Sequence, residues 1–417
     1  MTGQQVDVLV IGSGVIGLAC AHALVQQGRR VRVVDRGDLG AGASWGNCGI
    51  ISVSHAIPLC APGVIGQALR MMVQRDAPLA LRPGWSLDGL TWLLRFAGKC
   101  SWNHAQRAMR SRADLLAYSR ALFDRLLAEH PMDCEWEARG ALFLCRTPRV
   151  LDEFARIEDQ LVQIGLQGQA LSGGELQSRE PGLRQDLAGG WAHSIHAHLR
   201  PDRFVQEWAR VVTEQGVEVL TQCEVLGFEV RGGRIASIQT SRGPMQARDV
   251  ILAAGAWSAK LGGKLGLALP VRPARGISLT VAPQESCCRT PCFLVDERTV
   301  ATPFKSGFRL GGRLELCGFD TRVKPRHLQL LKGAFQKYFR SDLSSGPEEG
   351  WAGLRPMTFD DLPVLGRSRQ AENLYLATGH NMLGLSMAPA TGQILADLIA
   401  GQTPAIDIAA FDPNRFA

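Results

Sequence analysis

No pair of Cys-x-x-Cys elements occurs in this sequence, although it holds eleven cysteines. An odd number in a chain of 417 residues does not suit a disulfide framework. The densest group, Cys287, Cys288 and Cys292, lacks a fourth ligand at zinc or iron–sulfur spacing. The cysteines therefore read as reduced core residues, no metal is expected, and the cytoplasm is the default compartment. Blocks of five or six like charges are also missing. The 46 Lys and Arg against 39 Asp and Glu leave a net charge of +7 spread along the chain. That balance argues against a nucleic-acid-binding arm but suits an acidic substrate or an anionic membrane surface. Tyrosine is scarce, with Tyr118, Tyr338 and Tyr375 alone, and neither an internal repeat nor a low-complexity linker is visible. Hydrophobic residues at 46% and charged residues at 20% are enough for a folded chain with a sizeable core. The length suggests two domains, interleaved in sequence.

One segment alone is apolar enough to raise the question of a membrane span. Residues 8–25, VLVIGSGVIGLACAHALV, contain no Asp, Glu, Lys or Arg. They begin straight after Asp7 with no basic region before them, and they carry Gly12, Gly14 and Gly17 where a strand would turn into a helix. Neither a signal peptide nor a span has that pattern. Residues 64–110 mix Trp85, Trp92, Leu93, Leu94 and Phe96 with many Arg and Lys. A basic amphipathic helix of this kind can lie on a membrane, and an ordinary domain-surface helix explains the same pattern. Attachment to the inner face of a membrane, or contact with a partner subunit, is compatible with it.

The N-terminal segment has a consistent mechanical reading. Val6–Ile11 is a buried parallel strand, Gly12-Ser13-Gly14-Val15-Ile16-Gly17 is G-x-G-x-x-G, and Leu18–Gln27 is the following helix, closed by Gly28. Val31–Val34 is a second strand ending at Asp35, eighteen residues beyond Gly17, near the spacing of the acid that accepts hydrogen bonds from a ribose. Gly12 permits the tight turn, Gly14 lets backbone amides reach a pyrophosphate, and Gly17 allows close helix–strand packing, while the helix N-terminus supplies partial positive charge. The small and polar residues that follow, from Gly40 through Ser44, Asn47, Gly49 and Ser52, suit a second approach to a long cofactor, which favours FAD over NAD. Two later strands ending in glycine, Val250–Gly255 and Leu374–Gly379, read as returning to the same sheet with their carboxyl ends at the cofactor. No second G-x-G-x-x-G follows a strand, which argues against a built-in pyridine-nucleotide domain.

These residues resemble the D-amino-acid oxidase superfamily of flavoproteins and, within it, the bacterial D-amino-acid dehydrogenases of the small-subunit type. The resemblance runs nearly end to end. It is carried by GSGVIG with Asp35, by Ala43-Ser44-Trp45-Gly46-Asn47-Cys48-Gly49 continuing to Pro58 and Ala61-Pro62-Gly63, by Arg355-Pro356-Met357-Thr358, and by Thr378-Gly379-His380 with Leu383-Gly384. The implied fold is α/β, a Rossmann-type FAD-binding domain (residues 1–58, 190–265 and 350–417) interleaved with a mixed-sheet α+β substrate domain (59–189 and 266–349). Pro201 at the start of a helix, a short strand at Gly216–Leu220 and a meander turning at Gly232-Gly233 agree with it. The implied cofactor contacts are Gly12, Gly14, Val15, Ile16, Gly17, Asp35, Arg36, Ser44, Asn47, Gly49, Ile51, Val225, Gly255, Gly379, Asn381, Met382, Leu383 and Gly384. The usual acid of the family is often Glu and here is Asp35.

The implied activity is oxidation of a D-amino acid, or a cyclic secondary amino acid of the D-proline or D-hydroxyproline type, to the imino acid by hydride transfer to flavin N5, with electrons passed to a quinone or carrier protein. Arg355 is the candidate for the substrate carboxylate, since a guanidinium fork binds it bidentately; Arg275 is the second choice. His380 and His55 are further active-site candidates, although His380 capping its turn is an equal reading. A helix over Gly384–Ala400 would aim its N-terminus at the flavin, with Pro389 suggesting that regular helix starts nearer Met387. The scarcity of tyrosine leaves no obvious tyrosine over the substrate. An oxidase or dehydrogenase of glycine, sarcosine or an opine, as one subunit of a hetero-oligomer, is the alternative enzyme reading, and a noncatalytic flavin-binding protein the alternative of another class.

Overall fold

The computed structural model describes residues 6–66, 79–81, 87–284, 287–343 and 346–416; Trp85 lies outside them. Val6–Ile11 is apolar on both faces and pairs in parallel with Ala247–Leu252 on one side and Val31–Val34 on the other, as a strand buried between two layers must. Glu218–Leu220 and Leu374–Thr378 extend this sheet in parallel, and Val364–Arg367 closes one edge antiparallel. The resulting six-stranded sheet carries helices Val15–Gln26, Pro201–Glu214 and Gly384–Ile399 over one apolar face, with Leu18, Phe204, Trp208 and Ile394 buried there. Over the other face packs the meander Val225–Arg231, Arg234–Thr240 and Gly243–Met245, through Val225, Ile235 and Ile238. The first and last helices touch backbone to side: a Cβ on Gly392 would run into the carbonyl of Ala19.

A nine-stranded mixed sheet forms the second body. Its order is Glu349–Met357, Arg272–Val281, Gly307–Leu316, Thr299–Phe304, Cys292–Leu294, Ala141–Cys145, Gly189–His193 and Gln169–Ser172, with Leu79–Leu81 alongside Gly307–Leu316. Helix Pro325–Gln336 covers it with Leu331 and Phe335. Two expected boundaries move. Gly189–His193 and Glu349–Met357 hydrogen-bond into this sheet, so 190–193 and 350–357 leave the FAD-binding domain to which the sequence reading gave them. Helix Trp102–Glu129 moves the other way: its Ala108, Leu115, Leu116 and Phe123 are buried in the core under the six-stranded sheet, and Ser119 Oγ accepts a hydrogen bond from Ala390 N at 3.4 Å. Apolar periodicity says which face of a helix is buried, not which sheet buries it.

The C-terminal helix is regular from Gly384, with Pro389 inside it, not from near Met387. The ring removes one donor near the helix start, and the surrounding apolar burial of Leu385, Met387 and Ala388 outweighs that loss. All eleven cysteines are free thiols and eight are buried, as core residues should be. Among the described residues no helix is long and apolar enough to cross a membrane.

Candidate functional site

At the carboxyl end of the first strand the chain turns at Gly12, whose φ of +116° suits glycine alone, and whose missing Cβ leaves room for the carbonyl of Ala253. Ser13 then faces Asp35. Its backbone N and its Oγ donate to Asp35 Oδ2 at 2.7 and 3.0 Å, and Gly37 N donates to Oδ1 at 2.9 Å. A carboxylate has about four acceptor positions, so Asp35 keeps capacity for a ribose hydroxyl. Helix Val15–Gln26 has Gly14 as its N-cap with no side-chain cap, and Val15 N donates to Ser44 Oγ at 3.1 Å. Ser44 thus takes the first amide of the helix, and those of Ile16 and Gly17 are left for an anion.

These residues line one end of a cavity of about 1860 Å³, larger than the roughly 300–1,000 Å³ of a single small-ligand pocket. Gly12, Gly14, Val15, Ile16, Asp35, Arg36, Ser44, Asn47, Gly49, Val225, Gly255, Asn381, Met382, Leu383 and Gly384 all border it, as do Arg355, His380 and His55. The start of helix Gly384–Ile399, again without a side-chain cap, borders the same space. Two uncapped helix N-termini, a turn that excludes side chains and an acid with spare acceptor capacity fit the pyrophosphate, flavin and ribose of FAD. Three expected contacts are not on the cavity wall. Ile51 points into the core at 1% exposure while its neighbour Ile50 borders the cavity, the alternation every strand imposes. Gly17 packs on the carbonyl of Gly12, and Gly379 on Thr358 and Val364.

Several lining side chains hold loops. Asn47 Nδ2 donates to the carbonyls of Ala43 and Ser44 at 3.2 and 3.0 Å, and its Oδ1 accepts from Gly49 N at 2.9 Å. Asn381, with φ +53°, accepts from Thr358 N at 2.8 Å and donates to the carbonyl of Gly379 at 2.9 Å. It thereby clamps the Arg355–Thr358 segment to the loop before the last helix. Arg36 stacks over the Trp257 ring at 4.2 Å.

Arg355 borders the same cavity. Its Nη1 donates to the carbonyl of Arg313 at 3.0 Å, and Gly276 provides the room for it, since a Cβ there would run into the guanidinium. Burial pulls this guanidinium below its usual value, because no carboxylate among the described residues pairs with it. Arg275, the second choice, is excluded from substrate binding. It is fully buried, paired with Glu315 and with Asp320 Oδ2 at 3.2 Å, and donates to the carbonyls of Asp320 and Arg322. None of the three tyrosines borders the cavity.

The histidines carry defined protons. Thr391 Oγ1 donates to the carbonyl of Met387 at 2.9 Å, so its contact with His380 Nε2 at 3.0 Å makes that nitrogen the donor. His196 Nε2 accepts from Ser54 N at 3.4 Å and from Ser54 Oγ at 2.7 Å, which places its proton on Nδ1, donating to Ser52 Oγ at 3.3 Å. Ser52 Oγ then donates to His55 Nδ1 at 2.9 Å, and neutral His55 bears its proton on Nε2, beside Phe143 and Phe293 on the cavity wall. The backbone of His55 is pinned by Arg112 Nη2 at 3.0 Å, itself held in a buried ion pair with Asp361. Sequence reading missed His196, Ser54 and Arg112. The only signal was the clustering of Ser52, Ser54 and His55 with a His-x-x-His at 193–196.

Burial lowers His22, His55 and His198 to about 4 and His380 to about 3, from 6.5. These groups stay neutral when folded and charge when unfolded, so their contribution is intact above pH 6.5 and is lost as pH falls toward the folded values. The melting temperature of the protein should therefore drop between about pH 6.5 and 4; a flat profile across that window would contradict the burial of these rings.

Comparison with known proteins adds to this geometry. The family model described as FAD dependent oxidoreductase matches residues 7–398. A relative named D-amino acid dehydrogenase from Granulibacter bethesdensis is 33% identical, covering 98% of this chain and 99% of its own. Among solved structures, glycine oxidase from Geobacillus kaustophilus superposes with a TM-score of 0.80 at 23% identity, covering 99% of both chains. L-proline dehydrogenase from P. horikoshii gives a TM-score of 0.75 at 20% identity, over 99% of this chain and 98% of that one. Both structural likenesses concern the fold.

Proposed function

This chain belongs to the family of FAD-dependent oxidoreductases, and we propose that it is a dehydrogenase that oxidises a D-amino acid at its C–N bond to the imino acid. The observation that carries this reading is Arg355, a desolvated guanidinium without a carboxylate partner among the described residues, in the same cavity as the uncapped start of helix Gly384–Ile399. A relative of matching length named D-amino acid dehydrogenase supports the substrate class. Within that class we favour a cyclic secondary amine of the D-proline or D-hydroxyproline type, and a quinone or carrier protein as acceptor.

FAD, when bound, supplies the two-electron acceptor for the hydride leaving the substrate Cα. The chain does the rest. Arg355 grips the carboxylate as a fork and fixes which face of Cα is presented. The amides at the start of helix Gly384–Ile399 favour negative charge at the end of the cavity they face. His380 is committed to Thr391 through Nε2 and serves as a positioning residue for that helix start. His55 offers a neutral Nε2–H donor, directed by Ser52 and His196, to a substrate oxygen. No group in this arrangement is required as a general base, because an amine bound neutral needs no proton removed before its hydride leaves.

Two experiments bear on this. Purified protein mixed anaerobically with D- and L-amino acids, prolines and N-methylglycine should lose its flavin colour with the D-series; no bleaching by any of them would leave a noncatalytic flavin-binding role. His55→Phe, which keeps the ring volume and removes the donor, should retain FAD and lower kcat/KM by about tenfold. Unaltered steady-state kinetics would exclude His55 from the substrate.

A further inference from the structure

We infer that the buried pair Arg112–Asp361 is a positioning device of the substrate site, tying the segment that carries Arg355 to the loop that carries His55 and so fixing the distance between the two side chains assigned above to the substrate. Asp361 follows Arg355 by six residues, and the segment between them is clamped at Thr358 by Asn381. Its backbone sits at φ +56°, a conformation that glycine adopts freely and that other residues keep where their surroundings hold them in it. What aspartate adds over glycine at such a turn is its carboxylate. Oδ2 accepts from the guanidinium of Arg112 and from the backbone N of Leu59, the latter at 2.6 Å.

Arg112 closes the tie from the other side. Its Nη1 donates to the carboxylate of Asp361 and to the carbonyl of the same residue at 3.2 Å, while Nη2 donates to the carbonyl of His55 at 3.0 Å. Helix Trp102–Glu129, from which it projects, grips the turn a second time, with His104 Nε2 donating to the carbonyl of Asp360 at 2.9 Å. One fork and one carboxylate thus join Asp361 to His55 and Leu59, both of which border the cavity together with Arg355. Arg112 and Asp361 are each 3% exposed, and Arg112 Nε and Asp361 Oδ1 have no hydrogen-bond partner among the described residues. A buried pair with orphaned atoms is a poor stabiliser, since apolar residues of the same volume often serve as well or better. What apolar packing would not supply is the fork's geometry. It presents His55 Nε2 at a set distance from the Arg355 guanidinium, and a substrate held by its carboxylate must match that distance. The role in turnover rests on the function proposed above; the tie between the two segments does not.

Arg112→Lys keeps a charge opposite Asp361, but a single ammonium cannot also reach the carbonyl of His55 as the fork does. The holoprotein should retain its flavin, while kcat/KM for a D-amino acid falls about three- to tenfold, more in kcat than in KM because Arg355 still holds the carboxylate. That fall should vanish in a His55→Phe background, where the pair has no donor left to place. Amide exchange over residues 55–59 should quicken in the variant whether or not it turns over substrate. In Asp361→Asn/Arg112→Met the asparagine keeps the left-handed turn and the bond from Leu59 N, and no charge is left buried. This second variant should be at least as stable as wild type and show the same kinetic loss. Wild-type kcat/KM in both variants, or a loss that adds in full to that of His55→Phe, overturns the proposal, as does unaltered exchange over residues 55–59. Wild-type protein that no D-amino acid bleaches sinks the function instead, and faster exchange in the variants would still establish the tie.

Discussion

Replacing Arg355 by Lys should leave FAD bound while raising the half-saturating concentration of a D-amino acid by about 10- to 100-fold. The lysine keeps the charge but not the fork, so the carboxylate is held at one point and the Cα–H bond is free to swing. Part of the loss should then appear in kcat as well. Arg355→Met removes the charge too and should lower kcat/KM by roughly 2–5 kcal/mol, on the order of 30- to 4,000-fold. A measurement on the free enzyme separates this role from a structural one. The guanidinium is desolvated and bonded within the protein to the carbonyl of Arg313, so a methionine relieves an uncompensated cation. The substrate-free variant should melt at or above the wild-type temperature. A structural arginine such as Arg275, with its two acidic partners, would do the opposite. Wild-type kinetics in Arg355→Lys would remove this residue from the carboxylate.

Gly12→Ala should give protein that purifies without flavin and is less stable by about 2–4 kcal/mol. Two penalties coincide there. The φ of +116° is strained for any residue with a Cβ, and that Cβ would run into the backbone carbonyl of Ala253, which cannot swing away as a side chain can. Ser13 would shift with it, and with Ser13 the two hydrogen bonds that hold Asp35. Gly14→Ala provides the contrast: its Cβ would meet only Ser44 Oγ, at 3.0 Å, so FAD should weaken with little change in apoprotein stability. Flavin absorbance per protein and melting curves with and without added FAD measure both. Stoichiometric flavin in Gly12→Ala would show that this turn can relax, contrary to the packing described.

The strand–glycine–helix–strand–acid unit was legible because everything it needs is local: an apolar strand, a turn only glycine can make, and an acid one strand later. The late strands, read at Val250–Gly255 and Leu374–Gly379 and formed at Ala247–Leu252 and Leu374–Thr378, were legible for the same reason, each showing a short apolar run that leads into small residues. What sequence could not show is set by contacts hundreds of residues apart. Arg275 and Arg355 are alike as letters. Only the register of neighbouring strands decides that one faces Glu315 and the other the cavity. Ile50 and Ile51 differ by one step of a strand, and the antiparallel pairing with Ala197 and His198 fixes which of them is buried in the core. The directed chain from His196 through Ser52 to His55 joins residues 144 positions apart, and no spacing rule covers it. Asn47 and Asn381 look like cofactor ligands in a motif, yet the amide of Asn47 is spent on its own loop and that of Asn381 on Thr358 and Gly379.

The backbone contact between Ala19 and Gly392 has a consequence for the birth of the protein. The first helix is synthesised near the start and its partner helix near the end, so at translation rates of about 5–20 residues per second the two are separated by tens of seconds. During that interval the N-terminal nucleotide-binding unit exists without the surface that covers Leu18, Ala19 and Ala23. Local pairing of Val6–Ile11 with Val31–Val34 can form early, but its other neighbour, Ala247–Leu252, and the closing helix come late. The nascent chain therefore spends most of its synthesis presenting an apolar face that only its own last residues can occupy, the circumstance in which a growing polypeptide depends on chaperones at the ribosome.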